Sequence, residues 1–129
     1  METILLVDDS PTILASMCGI LVQSGYVTEQ AANGAAALAK VRGGLAPGLV
    51  ITDYNMPGIT GVELIQELRK LAQTRFTPML VLTTESQPEK RDEARKAGAT
   101  GWLVKPVEAA KLVQVIKQVA PGVRPRAVA

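Results

Sequence analysis

The sequence predicts an α/β fold, a doubly wound parallel sheet with helices on both faces. Two observations carry this. Strand-like apolar runs alternate with helical patterns five times, with short connections, and right-handed crossovers turn such βα units into a doubly wound domain. Three of the runs are nearly continuously apolar, the pattern of strands buried on both faces. Size agrees: 129 residues fit one domain, which we place at residues 1–120, with 121–129 as a flexible tail. The chain is 47% hydrophobic but only 3% aromatic, so the core must be mostly Leu, Val, Ile and Ala.

The elements follow in order. The predicted strands are Thr3–Val7, Val27–Ala31, Leu49–Thr52, Met79–Thr83 and Trp102–Val104. Ser10 caps the first helix, with Pro11 at its first position, Ile13, Met17, Ile20 and Leu21 facing inward, and Gly25 ending it. Asn33 caps a short Ala-rich helix that stops at Gly43-Gly44. Thr60 and Glu63 have capping-box spacing and open a helix with Leu64, Ile65, Leu68 and Leu71 on one face. Ser86 and Glu89 repeat that spacing before a fourth helix ending near Gly98. Glu108 leads a fifth helix, with Leu112, Val113, Ile116 and Val119 inward. Between Pro88 and Ala97 the fourth helix has only Ala94 and Ala97 as apolar anchors. It buries little area, and we expect either a plain solvated helix or a mobile switch element.

Composition excludes several functions. A net charge of +2 without a basic run argues against nucleic acid or a membrane surface. No run of about 20 apolar residues exists, and residues 1–8 lack a basic start, so neither a membrane span nor a signal peptide is expected. The single cysteine, Cys18, cannot form an internal disulfide, which fits a reducing, cytoplasmic setting. It lies in an apolar helical stretch and reads as a buried thiol rather than a nucleophile. The sequence has no histidine, so a His-based triad, a His general base and an imidazole zinc site are all excluded. Any metal must then be bound through oxygen, which selects hard cations such as Mg²⁺, Mn²⁺ or Ca²⁺.

In open α/β sheets, ligands bind beyond the carboxyl ends of the strands. The first strand ends in Asp8-Asp9, the third in Asp53, the fourth in Thr83-Thr84 and the fifth in Lys105-Pro106. Each residue alone has a plainer explanation: Asp-Asp-Ser as a helix start, Asp53 as a turn residue, Thr83 as a β-branched strand residue, Lys105 as a solvated charge. Together, four strands deliver complementary groups to one edge. Three converging carboxylates repel unless a cation sits among them, and Mg²⁺ accepts one or two carboxylates with waters and phosphate oxygens. A carboxylate can also be a nucleophile that forms an aspartyl-phosphate. Lys105 and the metal would then neutralise the transferring phosphoryl oxygens, and Thr83 would donate a hydrogen bond.

The segments Ile-Leu-Leu-Val-Asp-Asp-Ser (4–10), Ile-Thr-Asp-Tyr-Asn-Met-Pro (51–57), Val-Leu-Thr-Thr (81–84) and Gly-Trp-Leu-Val-Lys-Pro (101–106) carry a resemblance. In this order and spacing they resemble response-regulator receiver domains over residues 3–120, most closely the single-domain chemotaxis regulators. The resemblance implies a flavodoxin-like sheet of order 2-1-3-4-5. It makes Asp53 the phosphoacceptor. Asp9, Asp53 and the backbone carbonyl of Asn55 would touch Mg²⁺, and Asp8 would reach it through water. Lys105 would contact the phosphoryl group, with a cis bond to Pro106, and Thr83 would move toward it. Asn55 and Glu85 match the positions that tune hydrolysis. Trp102 stands where relatives often carry Tyr or Phe, the aromatic that swings inward; the alternative is a surface-packing Trp.

Further implications concern partners. A sensor histidine kinase would donate the phosphoryl group, and output would be phosphorylation-dependent binding to another protein, first of all the flagellar motor switch. A phosphate sink or phosphorelay intermediate is the alternative, and a monomer is expected. The protein would be a signalling receiver rather than an enzyme, although it would promote its own phosphotransfer and dephosphorylation. A haloacid-dehalogenase-like phosphatase would need a second Asp where Asn55 stands. A pseudo-receiver would have lost site residues, and none is lost here.

Overall fold

Alternation of side chains along each strand splits the core in two. On β1 (Thr3–Val7), Leu5 and Val7 point to one side of the sheet, and Ile4 and Leu6 to the other. The same parity separates Val50 from Leu49 and Ile51 on β3 (Leu49–Thr52), and Met79 and Val81 from Leu80 and Leu82 on β4 (Met79–Thr83). The computed structural model describes residues 3–125. Helices α1 (Pro11–Gln23) and α5 (Ala109–Val119) cover one face; α2 (Gly34–Arg42), α3 (Gly61–Arg69) and α4 (Pro88–Ala97) cover the other. With β2 (Val27–Ala31) and β5 (Gly101–Val104), the strands form one parallel sheet of order β2-β1-β3-β4-β5, the flavodoxin-like arrangement. All strand tips that carry acidic or basic residues therefore lie at one edge.

The helix starts follow local chemistry. Ser10 accepts from the Ile13 N–H ahead of Pro11, and Asn33 accepts from Ala36. Thr60 and Glu63 form the complete reciprocal capping box. The fourth helix departs from expectation. Its N-cap is Gln87, not Ser86, and no side chain caps it. Pro88 is the reason: it takes the first helical position and holds the preceding residue extended, at φ −67 and ψ 130. Glu108 likewise precedes α5 without a side-chain cap bond.

Two packing details also differ. In α1 the buried residues are Leu14, Met17 and Leu21, whereas Ile13 and Ile20 sit at the edge of the core. The expected tail starts too early. Val123 is buried beside Ala120 in the core under α1 and α5, so the packed domain runs past residue 120, and residues 126–129 lie outside those described. The Lys105–Pro106 bond is cis.

Candidate functional site

Three carboxylates meet at the sheet edge. Asp8 and Asp9 follow β1, Asp53 follows β3, and one oxygen from each lies within 4.8 Å of the others. Their surroundings differ. Asp8 is buried, with one oxygen accepting from the Ser10 N–H at 3.0 Å. Asp9 is exposed. Asp53 is partly buried, and its Oδ1 accepts from the Tyr54 N–H at 2.7 Å. Lys105, carried in from β5, donates to Asp8 Oδ2 at 2.8 Å and to Asp53 Oδ2 at 3.4 Å. One ammonium thus answers three carboxylates, and the remaining negative charge is what a divalent cation would neutralise. The donor set is all oxygen and partly open to solvent, which suits a hard cation that keeps some of its waters.

The remaining expected residues fall around this cluster. Thr83 is buried at the tip of β4, and its hydroxyl accepts from the Glu85 N–H at 3.2 Å rather than bonding Asp53. That leaves its O–H proton available for another acceptor. Asn55 is exposed. Burial pushes the Glu85 carboxyl up, but hydrogen bonds and charge from Lys90, the Gln87 N–H and the Asn55 amide outweigh this and hold it below the usual carboxylate range. Asn55 and Glu85 are therefore neighbours. Trp102 lies inward, and its indole N–H donates to the Glu85 carbonyl at 3.1 Å. It is not a surface-packing side chain in this structure.

Sequence reasoning passed over two residues here. Tyr54 packs its ring against Trp102, with centroids 5.8 Å apart, and donates its hydroxyl to Glu93 on α4 at 3.0 Å. No local pattern announces this pair. Gly61 opens α3 directly beneath the Asp53 carbonyl, where a Cβ would collide with backbone. Its signal was available: glycine is a poor helix former, so one placed just after a capping threonine marks a close approach.

Comparison with known proteins points one way. The sequence profile described as "Response regulator receiver domain" matches residues 4–117. Protein PilH of Pseudomonas aeruginosa is 34% identical over 122 residues, covering 95% of this chain and all (100%) of that protein. The solved Vibrio cholerae chemotaxis protein CheY4 is 43% identical, with a TM-score of 0.88, covering 92% of this chain and 98% of its own. A receiver domain of a Pseudomonas aeruginosa sensor histidine kinase, solved with magnesium coordinated in its active-site cleft, superposes with a TM-score of 0.85 over 93% of this chain and 98% of its own. At 24% identity that likeness speaks for the fold alone.

Proposed function

The chain belongs to the response-regulator receiver family of two-component signalling, and from that premise we propose that it is a phosphorylation switch whose phosphoacceptor is Asp53. One observation supports this most: Asp53 lies in a cluster with Asp8 and Asp9, within reach of the Lys105 ammonium, and among the described residues these are the acids placed to share a cation with it. Asp9, Asp53 and the Asn55 carbonyl would hold Mg²⁺, with Asp8 behind them, and the metal would supply charge neutralisation for the phosphoryl oxygens.

The chain's own residues do the rest. An Asp53 oxygen attacks phosphorus as the P–N bond of a phosphohistidine breaks, and the bonding pair leaves with the imidazole. No His occurs in these residues, so the donor lies outside them, in a sensor kinase. Lys105 is shared between Asp8 and Asp53 and can swing fully onto the new phosphoryl group. Thr83 can donate its free O–H there once the Glu85 N–H is released. Glu85 also carries the Trp102 contact through its carbonyl, so movement of Thr83 would reach the surface by β5 and α4.

The output would be a partner protein that binds the two states with different affinity. The likeness to a chemotaxis protein supports motor control as the first reading. Labelling with a small phosphodonor and Mg²⁺ tests the core claim: the wild-type chain should gain one phosphoryl group and Asp53→Ala none. Labelling that persists in the variant defeats the assignment. Capture of a flagellar switch protein by the beryllofluoride-loaded chain would support motor control. Capture of a histidine phosphotransferase would point to a sink or relay.

A further inference from the structure

The phosphotransfer proposed above uses no atom of the Tyr54 side chain, yet Tyr54 is built into the domain. It is buried, and its backbone N–H donates to Asp53 Oδ1 at 2.7 Å. Its hydroxyl donates to Glu93 Oε1 at 3.0 Å, 39 positions away on α4. The Lys90 ammonium, also on α4, lies 5.0 Å above the ring and pairs with Glu85 at 3.3 Å. A single residue thus touches the phosphoacceptor with its main chain and the helix with its side chain.

Apart from its packing against α3, helix α4 has few other attachments. Ala94 is its one buried residue, and no side chain caps its N-terminus. Its C-terminal end is tied down differently. Arg69 of α3 donates to the Gly98 carbonyl at 2.7 Å, and to the Thr77 carbonyl at 2.6 Å. The helix is therefore clamped at its C-terminal end and held midway by Tyr54, while its N-terminal end adjoins the site. That is the mechanical form of a hinged arm.

We propose that Tyr54 is a positioning residue that latches α4 in its unphosphorylated arrangement through the hydroxyl bond to Glu93. The proposal rests on the receiver reading above and adds the route by which a change at Asp53 reaches the helix. A phosphoryl group on Asp53 alters the acceptor of the Tyr54 N–H, and the same residue passes that change to α4. Glu93 is exposed, so the bond is of ordinary net strength, and breaking it should shift a two-state equilibrium by about three- to tenfold.

Trp102 is the only tryptophan and packs against Tyr54, so its fluorescence reports on the latch. The full chain is titrated with beryllofluoride at saturating Mg²⁺. Tyr54→Phe and Glu93→Ala should each reach half-saturation at about three- to tenfold lower beryllofluoride, and the double variant no lower than either. Glu93→Gln keeps an acceptor and should stay near wild type. Half-saturation that is unchanged or raised in both single variants overturns the latch. A second readout needs no phosphoryl chemistry: without ligand, amide exchange across α4 should quicken in Tyr54→Phe relative to β3. Equal exchange overturns the latch by itself. A wild-type chain blind to beryllofluoride would instead remove the receiver reading, leaving exchange to decide the latch.

Discussion

Replacing Gly61 by Ala would press directly on the backbone of Asp53, the proposed phosphoacceptor. An ideal Cβ at residue 61 would fall inside contact distance of the Asp53 carbonyl oxygen, 3.0 Å from the Asp53 carbonyl carbon and 3.1 Å from the Tyr54 Cα. All three are backbone atoms, so no side-chain rotation relieves the clash. The Gly61 N–H also donates to the Tyr54 carbonyl at 2.9 Å, which keeps the two segments from separating freely. Overpacking of this kind costs about 1–3 kcal/mol, against at most about 1 kcal/mol gained by removing a helical glycine. With the full gain, the net expectation is a loss of about 0–2 kcal/mol. A displacement of about 1 Å at a reacting group costs about a hundredfold in rate, so phosphoryl uptake should fall far more than stability. Gly19 provides the control. It is an exposed position within α1, where an added Cβ meets nothing within 4 Å, so Gly19→Ala should gain about 0.5–1 kcal/mol. Urea unfolding at constant m, with phosphodonor labelling of both variants, reads the contrast. A Gly61→Ala chain at least as stable as wild type and labelled at the wild-type rate would refute the close-approach argument.

Three further outcomes follow from the same geometry. Lys105→Met leaves Asp8 buried without its cation and should cost about 3 kcal/mol in urea unfolding without metal, part of which added Mg²⁺ restores; an unchanged midpoint would mean the ion pair contributes nothing net. Asp9→Asn relieves crowding among the three carboxylates, so the metal-free melting temperature should rise. The same variant should lose the stabilisation by Mg²⁺, which for the wild type reaches about 2.7 kcal/mol at a hundred times Kd. The Tyr26 hydroxyl is buried with no hydrogen-bond partner among the described residues, and burial pushes its pKa up. Tyr26→Phe should therefore be neutral or stabilising by up to about 1 kcal/mol in thermal unfolding, and a clear loss would reveal a partner for that hydroxyl.

The order of elements was legible because it is written in neighbours. Short continuous apolar runs, the Ser10-Pro11 start and the Thr60–Glu63 box each involve residues within a few positions, and the structure repeats them. Where two local signals competed, as at Ser86 and Pro88, the stiffer one prevailed, since a ring constraint on φ outweighs an optional side-chain hydrogen bond. The acids and the lysine at strand tips were also visible, because a parallel sheet sends every C-terminal end to the same edge.

Pairings across the fold were not visible. Lys105 meets Asp8 from 97 positions away and Asp53 from 52. Which carboxylate would take the shorter bond depends on how β1, β3 and β5 sit in the sheet. Tyr54 and Glu93 are 39 positions apart, on a turn and on a helix whose own sequence names no partner. Val123 joins a core cluster assembled from several strands and helices, which its own stretch of sequence does not announce. Periodicity and capping determined the elements, their order and the chemistry offered at the sheet edge. Distances between side chains on different elements were decided by the packing of those elements, and that packing is where the coupling between Asp53 and α4 resides.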